Sequence, residues 1–310
     1  MSCGNRVSKQ LRSHANAPTT EQHGCEVWED NAKHTNMNAR IRMTIGRMKS
    51  MGRAIAVANQ KGGVGKTTTA INLAACLAEK GKKVLAIDID PQGNMTSGLG
   101  INKKKCKKTV YDLIIGECNL NDCLMKSVMD GVKVVPSNVD LAAAEIELIG
   151  LDKKEYILKD HIDKVRNDYD YIIIDCPPSL NTLTVNAMTT ADTVLVPIQC
   201  EYYALEGLSQ LIHTIELVKK RLNPDLEMEG VVFTMFDSRT NLSLQVVENV
   251  RKNLKENIYK SIIPRNVKLA EAPSHGLPII LYDSKCNGAE GYRALAEEVI
   301  ERDVRDWYQY

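Results

Sequence analysis

From position 53 onward, short apolar runs alternate with amphipathic stretches. Residues 55–58, 84–87, 132–135, 171–174, 193–196 and 231–235 form near-continuous apolar runs rich in β-branched side chains. Short runs without polar alternation suit strands covered on both faces. Between them, helical patterns start near Thr67, Lys153, Leu183, Ala204 and Leu242, with a last one from Glu290 toward Trp307. This alternation predicts an α/β fold over residues 51–310: a mainly parallel twisted sheet flanked by helices. In such sheets ligands gather at the carboxyl ends of the strands.

Residues 1–50 lack this pattern. They hold three of the six histidines, much Asn, Ser and Thr, and no apolar periodicity. Eight basic side chains against four acidic ones give the segment an excess of +4 and leave −3 on the rest of a chain whose net charge is +1. A basic arm that touches DNA and a truncated helix-turn-helix are two functional readings, but the second needs two amphipathic helices that the pattern does not contain. A disordered tail is the third reading. The fourth is a non-native extension, with Met51 as the natural start.

Composition narrows the function further. Net charge gives no overall field for nucleic acid, so any DNA contact must come from a local patch. Nine cysteines occur with no Cys-x-x-Cys spacing, which argues against zinc and for reduced thiols in a cytoplasmic protein. No stretch approaches the ~18 apolar residues of a membrane span, and the N-terminus has no apolar signal core.

Three motifs follow predicted strands. After the first comes Asn59-Gln60-Lys61-Gly62-Gly63-Val64-Gly65-Lys66-Thr67-Thr68, leading into an Ala- and Leu-rich helix closed by Gly81. Glycines let successive backbone N–H groups converge on phosphate oxygens, and the helix N-terminus adds its positive end. Lys66 is placed to hold the β- and γ-phosphates of a nucleotide, and the Thr67 hydroxyl to ligate Mg²⁺. After the second strand comes Asp88-Ile89-Asp90-Pro91-Gln92-Gly93-Asn94. The fourth strand runs into Asp175-Cys176-Pro177-Pro178-Ser179, an acid followed by a rigid turn.

Gln60 stands where the ordinary P-loop has its first glycine, and Lys61 follows it. This resembles the deviant Walker A box of the ParA/MinD superfamily, and residues 51–310 resemble its ParA/Soj branch throughout. Two further stretches, 199–207 and 263–276, share in the likeness. The resemblance implies that Lys61 reaches across a dimer interface to the partner's nucleotide. It implies that Asp90, in switch I, orients or deprotonates the attacking water, and that Asp175, in a merged Walker B and switch II, holds Mg²⁺ through water. Asp88 either caps or supports its loop. Pro264 and Asn266 are expected at an adenine pocket; Pro264 also reads as a strand terminator.

The implied activity is Mg²⁺-dependent ATP hydrolysis by a homodimer. ATP-bound dimers would bind DNA without sequence preference through a doubled basic face, on the nucleoid. Candidate contacts are Arg239, Arg251, Lys252, Lys255, Arg265 and Lys268. The resemblance further implies a ParB-type partner that stimulates hydrolysis and a role in chromosome or plasmid partition, and it leaves open an added control of replication or sporulation. The lysine run 103–108 matches no family box; solvated loop and DNA contact are its two readings. A MinD-like membrane ATPase is the rival, but its basic amphipathic C-terminal helix is replaced by an acid-rich end, and no membrane partner is expected. Iron–sulfur carriers of the superfamily need paired cysteines that are missing. Its tyrosine kinases have a tyrosine-rich tail, for which Tyr308 and Tyr310 are too few.

Overall fold

Eight strands make a single sheet: β1 (Arg53–Val57), β2 (Val84–Asp88), β3 (Met125–Lys126), β4 (Val132–Val135), β5 (Tyr171–Asp175), β6 (Thr193–Gln199), β7 (Glu227–Phe236) and β8 (Ile258–Pro264). This computed structural model describes residues 51–201, 204–254 and 257–307; the expectations for residues 1–50 and for Lys255 lie outside the described residues. Across the sheet the order is β3-β4-β2-β5-β1-β6-β7-β8, parallel at every pairing except β3 with β4. The predicted mainly parallel α/β architecture is therefore the observed one.

The connecting helices are α1 (Lys66–Glu79), α2 (Asn94–Gly98), α3 (Val110–Ile114), α4 (Leu120–Cys123), α5 (Leu141–Glu147) and α6 (Ile157–Ile162). They are followed by α7 (Thr182–Thr190), α8 (Ala204–Arg221), α9 (Asn241–Asn253), α10 (Val267–Glu271), α11 (Ile279–Tyr282) and α12 (Asn287–Trp307). Successive side chains of a strand point to opposite faces. Accordingly β1 sends Ala54 and Ala56 into one core and Ile55 and Val57 into the other, and β5 divides Ile172 and Ile174 from Tyr171 and Ile173 in the same way. Burial on both faces is the reason these runs read as continuously apolar.

Helix α12 packs against α1 and β8. Its Ala289, Tyr292, Leu295, Ala296 and Val299 are buried at helical spacing, so its apolar stripe is spent on the body of the protein. Among the described residues no helix is long and apolar enough to cross a membrane. Strand β8 is missing from the predicted apolar runs, and only its end at Pro264 is legible, because Lys260 and Ser261 interrupt its apolar pattern. Both residues donate their backbone N–H to the Glu298 carboxylate of α12, each at 3.0 Å, and so part of this edge strand is capped by a helix side chain.

A buried polar cluster ties the amino ends of the strands together. Glu229 of β7 accepts from Arg53 of β1 at 2.7 Å and from Thr193 of β6 at 2.6 Å, and the Tyr259 hydroxyl of β8 donates to its other oxygen. Arg53 also pairs with Asp303 of α12 at 3.0 Å, and the Arg302 guanidinium lies 3.7 Å from the centre of the Tyr259 ring. Removing one member of such a cluster leaves the others desolvated and unpaired. Glu229→Ala is therefore expected to lower unfolding free energy by about 3 kcal/mol in urea denaturation; a loss below about 0.5 kcal/mol would show that the cluster does not hold the sheet.

Candidate functional site

The glycine-rich loop leaves the carboxyl end of β1 and is gripped from two neighbouring strands. Asn59 is buried; its Nδ2 donates to the Pro197 carbonyl of β6 at 2.8 Å, and its Oδ1 accepts from the Lys61 amide at 3.0 Å. Thr234 of β7 donates its hydroxyl to the Val64 carbonyl at 2.8 Å. Gly63 and Gly65 have φ of +76° and +87°, which side-chain-bearing residues adopt only under strain. Gly65 then caps α1 by accepting from the Thr69 amide at 2.8 Å. The loop thus presents its backbone above the first turn of a helix, the geometry in which amides bind anions.

Two lysines serve this loop differently. Lys66 is buried and donates to the Lys61 carbonyl at 3.0 Å; burial lowers its pKa, against the pull of Asp175 and Asp90. Lys61 points away from the loop, half-exposed, and pairs with Glu201 just beyond β6.

The carboxyl ends of β2 and β5 place Asp88 and Asp175 side by side in register. Asp88 accepts from the Thr96 hydroxyl at 2.7 Å, the Thr96 amide at 2.8 Å and the Asp90 amide at 3.2 Å. It thereby fixes the start of the Asp90 loop to α2. Ser137, beyond β4, donates its hydroxyl to the Asp90 carbonyl at 2.8 Å, and Lys103 donates to the Gln92 carbonyl at 2.7 Å. Asp175 is different. It is fully buried, and neither carboxylate oxygen has a hydrogen bond of normal geometry, although the Thr67 hydroxyl is near enough to favour its ionised form.

Burial raises both carboxyl pKa values. Asp88 is pushed up to about 6 despite its three donors, and Asp175 is raised well above the ordinary carboxylate range by burial first and by Asp88 second. A carboxylate left without a partner in such a place suits a cation. Oxygen donors from Asp175 and Thr67 are the hard ligands that Mg²⁺ accepts, directly or through its waters.

Beside the loop lies a largely apolar cavity of about 280 Å³. Its walls include Gly65 and Thr68 from the loop side, Thr234 and Met235 from the end of β7, and Pro264 and Asn266 from the end of β8. Asn266 also caps α10, its Oδ1 accepting from the Lys268 amide at 2.8 Å. Met235 has φ of +51°, strained for a residue with a side chain, at the lip of this cavity. The structure thus brings Pro264, Asn266 and Thr68 together as lining residues. Sequence reasoning missed Asn59, Thr234, Met235 and Ser137. Each follows or ends a strand on the ligand side of the sheet, and that position was the available signal.

The expected DNA contacts separate into two groups. Arg239 follows β7 and chelates Asp237 with Nε at 2.9 Å and Nη2 at 2.7 Å; Arg265 follows β8 and donates its amide to the Phe236 carbonyl at 2.9 Å. Lys268 lies one helical turn further and pairs with Asp283. Arg251 and Lys252 close α9, which carries the chain back to the amino end of β8, ~18 Å along the helix from its start. All five are exposed; Arg239 and Arg265 meet at the Phe236–Asp237 corner, with Lys268 three residues beyond Arg265.

Residues 52–228 match a family model described as an AAA domain. The chain is 56% identical over 249 residues to the sporulation initiation inhibitor protein Soj of Bacillus subtilis, covering 80% of this chain and 98% of that protein. It is 54% identical over 255 residues to the chromosome partitioning protein ParA of Myxococcus xanthus, covering 82% and 90%. Among solved structures, cobyrinic acid a,c-diamide synthase from Mycobacterium smegmatis with bound ADP and magnesium superposes with a TM-score of 0.72 at 38% identity, covering 81% of this chain and 94% of that one. The gripped glycine loop, the paired strand-end aspartates and this degree of likeness lead to one conclusion: the chain belongs to the ParA/Soj family of P-loop ATPases.

Proposed function

We propose that this protein is an ATP-driven partition ATPase whose nucleotide state controls dimerisation and non-specific DNA binding. The observation that carries this reading is the buried, unpartnered Asp175 carboxylate beside Thr67 and Lys66 at the end of the sheet. A nucleotide with its phosphates on the 62–67 amides would set its base against the apolar cavity between Pro264, Asn266 and Thr68. Mg²⁺, held by the Thr67 hydroxyl and, through water, by Asp175, would supply positive charge to the β- and γ-phosphate oxygens as hydrolysis proceeds. Lys66 would leave the Lys61 carbonyl for the phosphates. Asp90, carried on a loop fixed by Asp88, Ser137 and Lys103, would position the attacking water and accept its proton.

Lys61 in this reading exchanges Glu201 for the phosphates bound by a second copy, so the dimer is two-fold symmetric and doubles every surface charge. Arg239, Arg265 and Lys268 form the DNA face near the carboxyl ends of β7 and β8. Arg251 and Lys252 add contacts only if the duplex extends along α9. A ParB-type protein would stimulate hydrolysis and release the dimer from the nucleoid. The buried stripe of α12 favours DNA over a membrane as the anchoring surface, because Ala289, Tyr292, Leu295, Ala296 and Val299 are already packed against the body of the protein.

Lys66→Ala should lose ATP binding, about hundredfold in affinity, by calorimetry; an affinity near that of the parent protein would remove Lys66 from the phosphates. Asp90→Ala should bind ATP, dimerise and remain on DNA, because the phosphate cradle is untouched while the water loses its acceptor. Loss of DNA retention at low salt in that variant would contradict the proposed switch.

For Asp88 and Asp175 the folded pKa lies above the unfolded value of about 4. The folded chain then holds extra protons from about pH 4 up to about pH 6 and beyond, and its stability falls as pH rises through that window. Ligand-free Asp175→Asn should therefore melt higher than the parent at pH 7, by about 3 °C, and show a flatter fall between pH 5 and pH 7. The same variant should lose most of the further stabilisation that Mg²⁺ with ATP gives the parent. A lower melting temperature in the ligand-free variant would mean that Asp175 has a structural partner.

A further inference from the structure

We propose that Lys104, Lys105 and Lys107 form a second contact surface for the DNA backbone, apart from the face built by Arg239, Arg265 and Lys268. This inference rests on the DNA-binding reading above and extends it. Five of the six residues from 103 to 108 are lysine, and the structure treats them unequally. The two outer ones are committed: Lys103 donates to the Gln92 carbonyl at 2.7 Å, and Lys108 pairs with Asp112 at 2.8 Å and Glu117 at 3.2 Å. The three between them are exposed, and none has an acidic partner among the described residues.

The segment is also held in shape. Residues Lys103–Lys105 form a single 3-10 turn, and Asn102 caps it by accepting from the Lys104 amide at 3.0 Å. Its stem packs on the Asp90 loop, where a Cβ at Gly93 would come within 2.7 Å of Lys103 Cδ. A solvated loop has no need of an anchor at each end. Anchoring lowers the entropy lost when the three free ammonium groups meet a ligand.

The chemistry of the surface selects the ligand. Like charges gathered without counter-charges repel, and a polyanion relieves that repulsion while releasing its counterions. Lys104 to Lys107 span at most ~10 Å of chain, a distance over which a duplex presents several phosphates. An anionic membrane would want an exposed apolar side chain beside the lysines. Residues 101–108 offer none, since Ile101 is buried and Cys106 is half-buried; the exposed Val128 lies outside the run, against Gly100. An acidic protein would want an apolar interface centre, which residues 101–108 themselves do not supply. The run follows β2 and α2, on the β2–β4 side of the sheet, whereas Arg239 and Arg265 follow β7 and β8 at the other side. A dimer could in this way touch two duplex segments.

The test uses the full chain with ATP, a random-sequence 60-base-pair duplex and fluorescence anisotropy over a salt series. The triple variant Lys104→Gln, Lys105→Gln, Lys107→Gln should keep the parent's ATP affinity and lose at least about tenfold in DNA affinity. Its salt slope should flatten by ~0.9 for each phosphate contact removed. A parallel variant, Arg239→Ala with Arg265→Ala, reads the other face. If it loses DNA while the triple variant matches the parent in affinity and slope, the second surface is disproved and the DNA-binding reading stands. If the parent itself shows no DNA binding with ATP, the reading and the second surface fall together. Sedimentation with phosphatidylglycerol vesicles is the remaining arm: ATP-dependent retention of the parent, lost in the triple variant, would assign the lysines to lipid and overturn the proposal.

Discussion

The arrangement turns on a carboxylate that the protein buries without satisfying. Asp175 ends a strand at the centre of the sheet, beside Asp88 on the next strand, and among the described residues neither of its oxygens has a hydrogen bond of normal geometry. Folding carries such a cost only where it is offset elsewhere, here by two apolar cores that cover both faces of the sheet. The neighbouring parts follow from this constraint. Asp88 has its oxygens satisfied by three donors and becomes the support of a loop. Asp175 has no comparable set of donors. Lys66 and Thr67 reach the same point from the first turn of α1, because β1 lies between β5 and β6 and delivers its loop there.

A second constraint separates what is rigid from what can move. The glycine loop is held by Asn59 and Thr234, and the Asp90 loop by Asp88, Ser137 and Lys103, so both are fixed before a nucleotide arrives. Lys61 is the exception. Its pair with Glu201 is half-exposed and therefore weak, an interaction that a phosphate could displace at small cost. The proposed function would use both properties, fixed loops for hydrolysis and one labile cation for a change of partner.

Much of this was legible in the sequence, and the reasons differ from element to element. The six apolar runs of the sheet were visible because burial on both faces removes polar alternation. The glycine loop was visible because Gly63 and Gly65 require positive φ and stand just before Lys66. Strand β8 was visible only at its Pro264 end, because Lys260 and Ser261 break its apolar run; what holds them is Glu298, 38 and 37 positions away, which no local pattern reveals. Ser137 and Thr234 were hidden for a similar reason: each acts through a single hydroxyl on a loop distant in sequence. The candidate DNA contacts were chosen by charge alone, and charge does not say that Arg239 and Lys268 already hold acids or that α9 carries Arg251 to the other end of the sheet.

The central claim is that Asp175 exists to hold a divalent cation together with nucleotide. Electron paramagnetic resonance of Mn²⁺, used in place of Mg²⁺, measures this directly by counting free and bound metal in a titration with ATP. The account predicts metal bound to the protein with ATP, and an affinity weakened at least about tenfold in Asp175→Asn while ATP still binds. Equal Mn²⁺ affinity in the parent and in Asp175→Asn would contradict it.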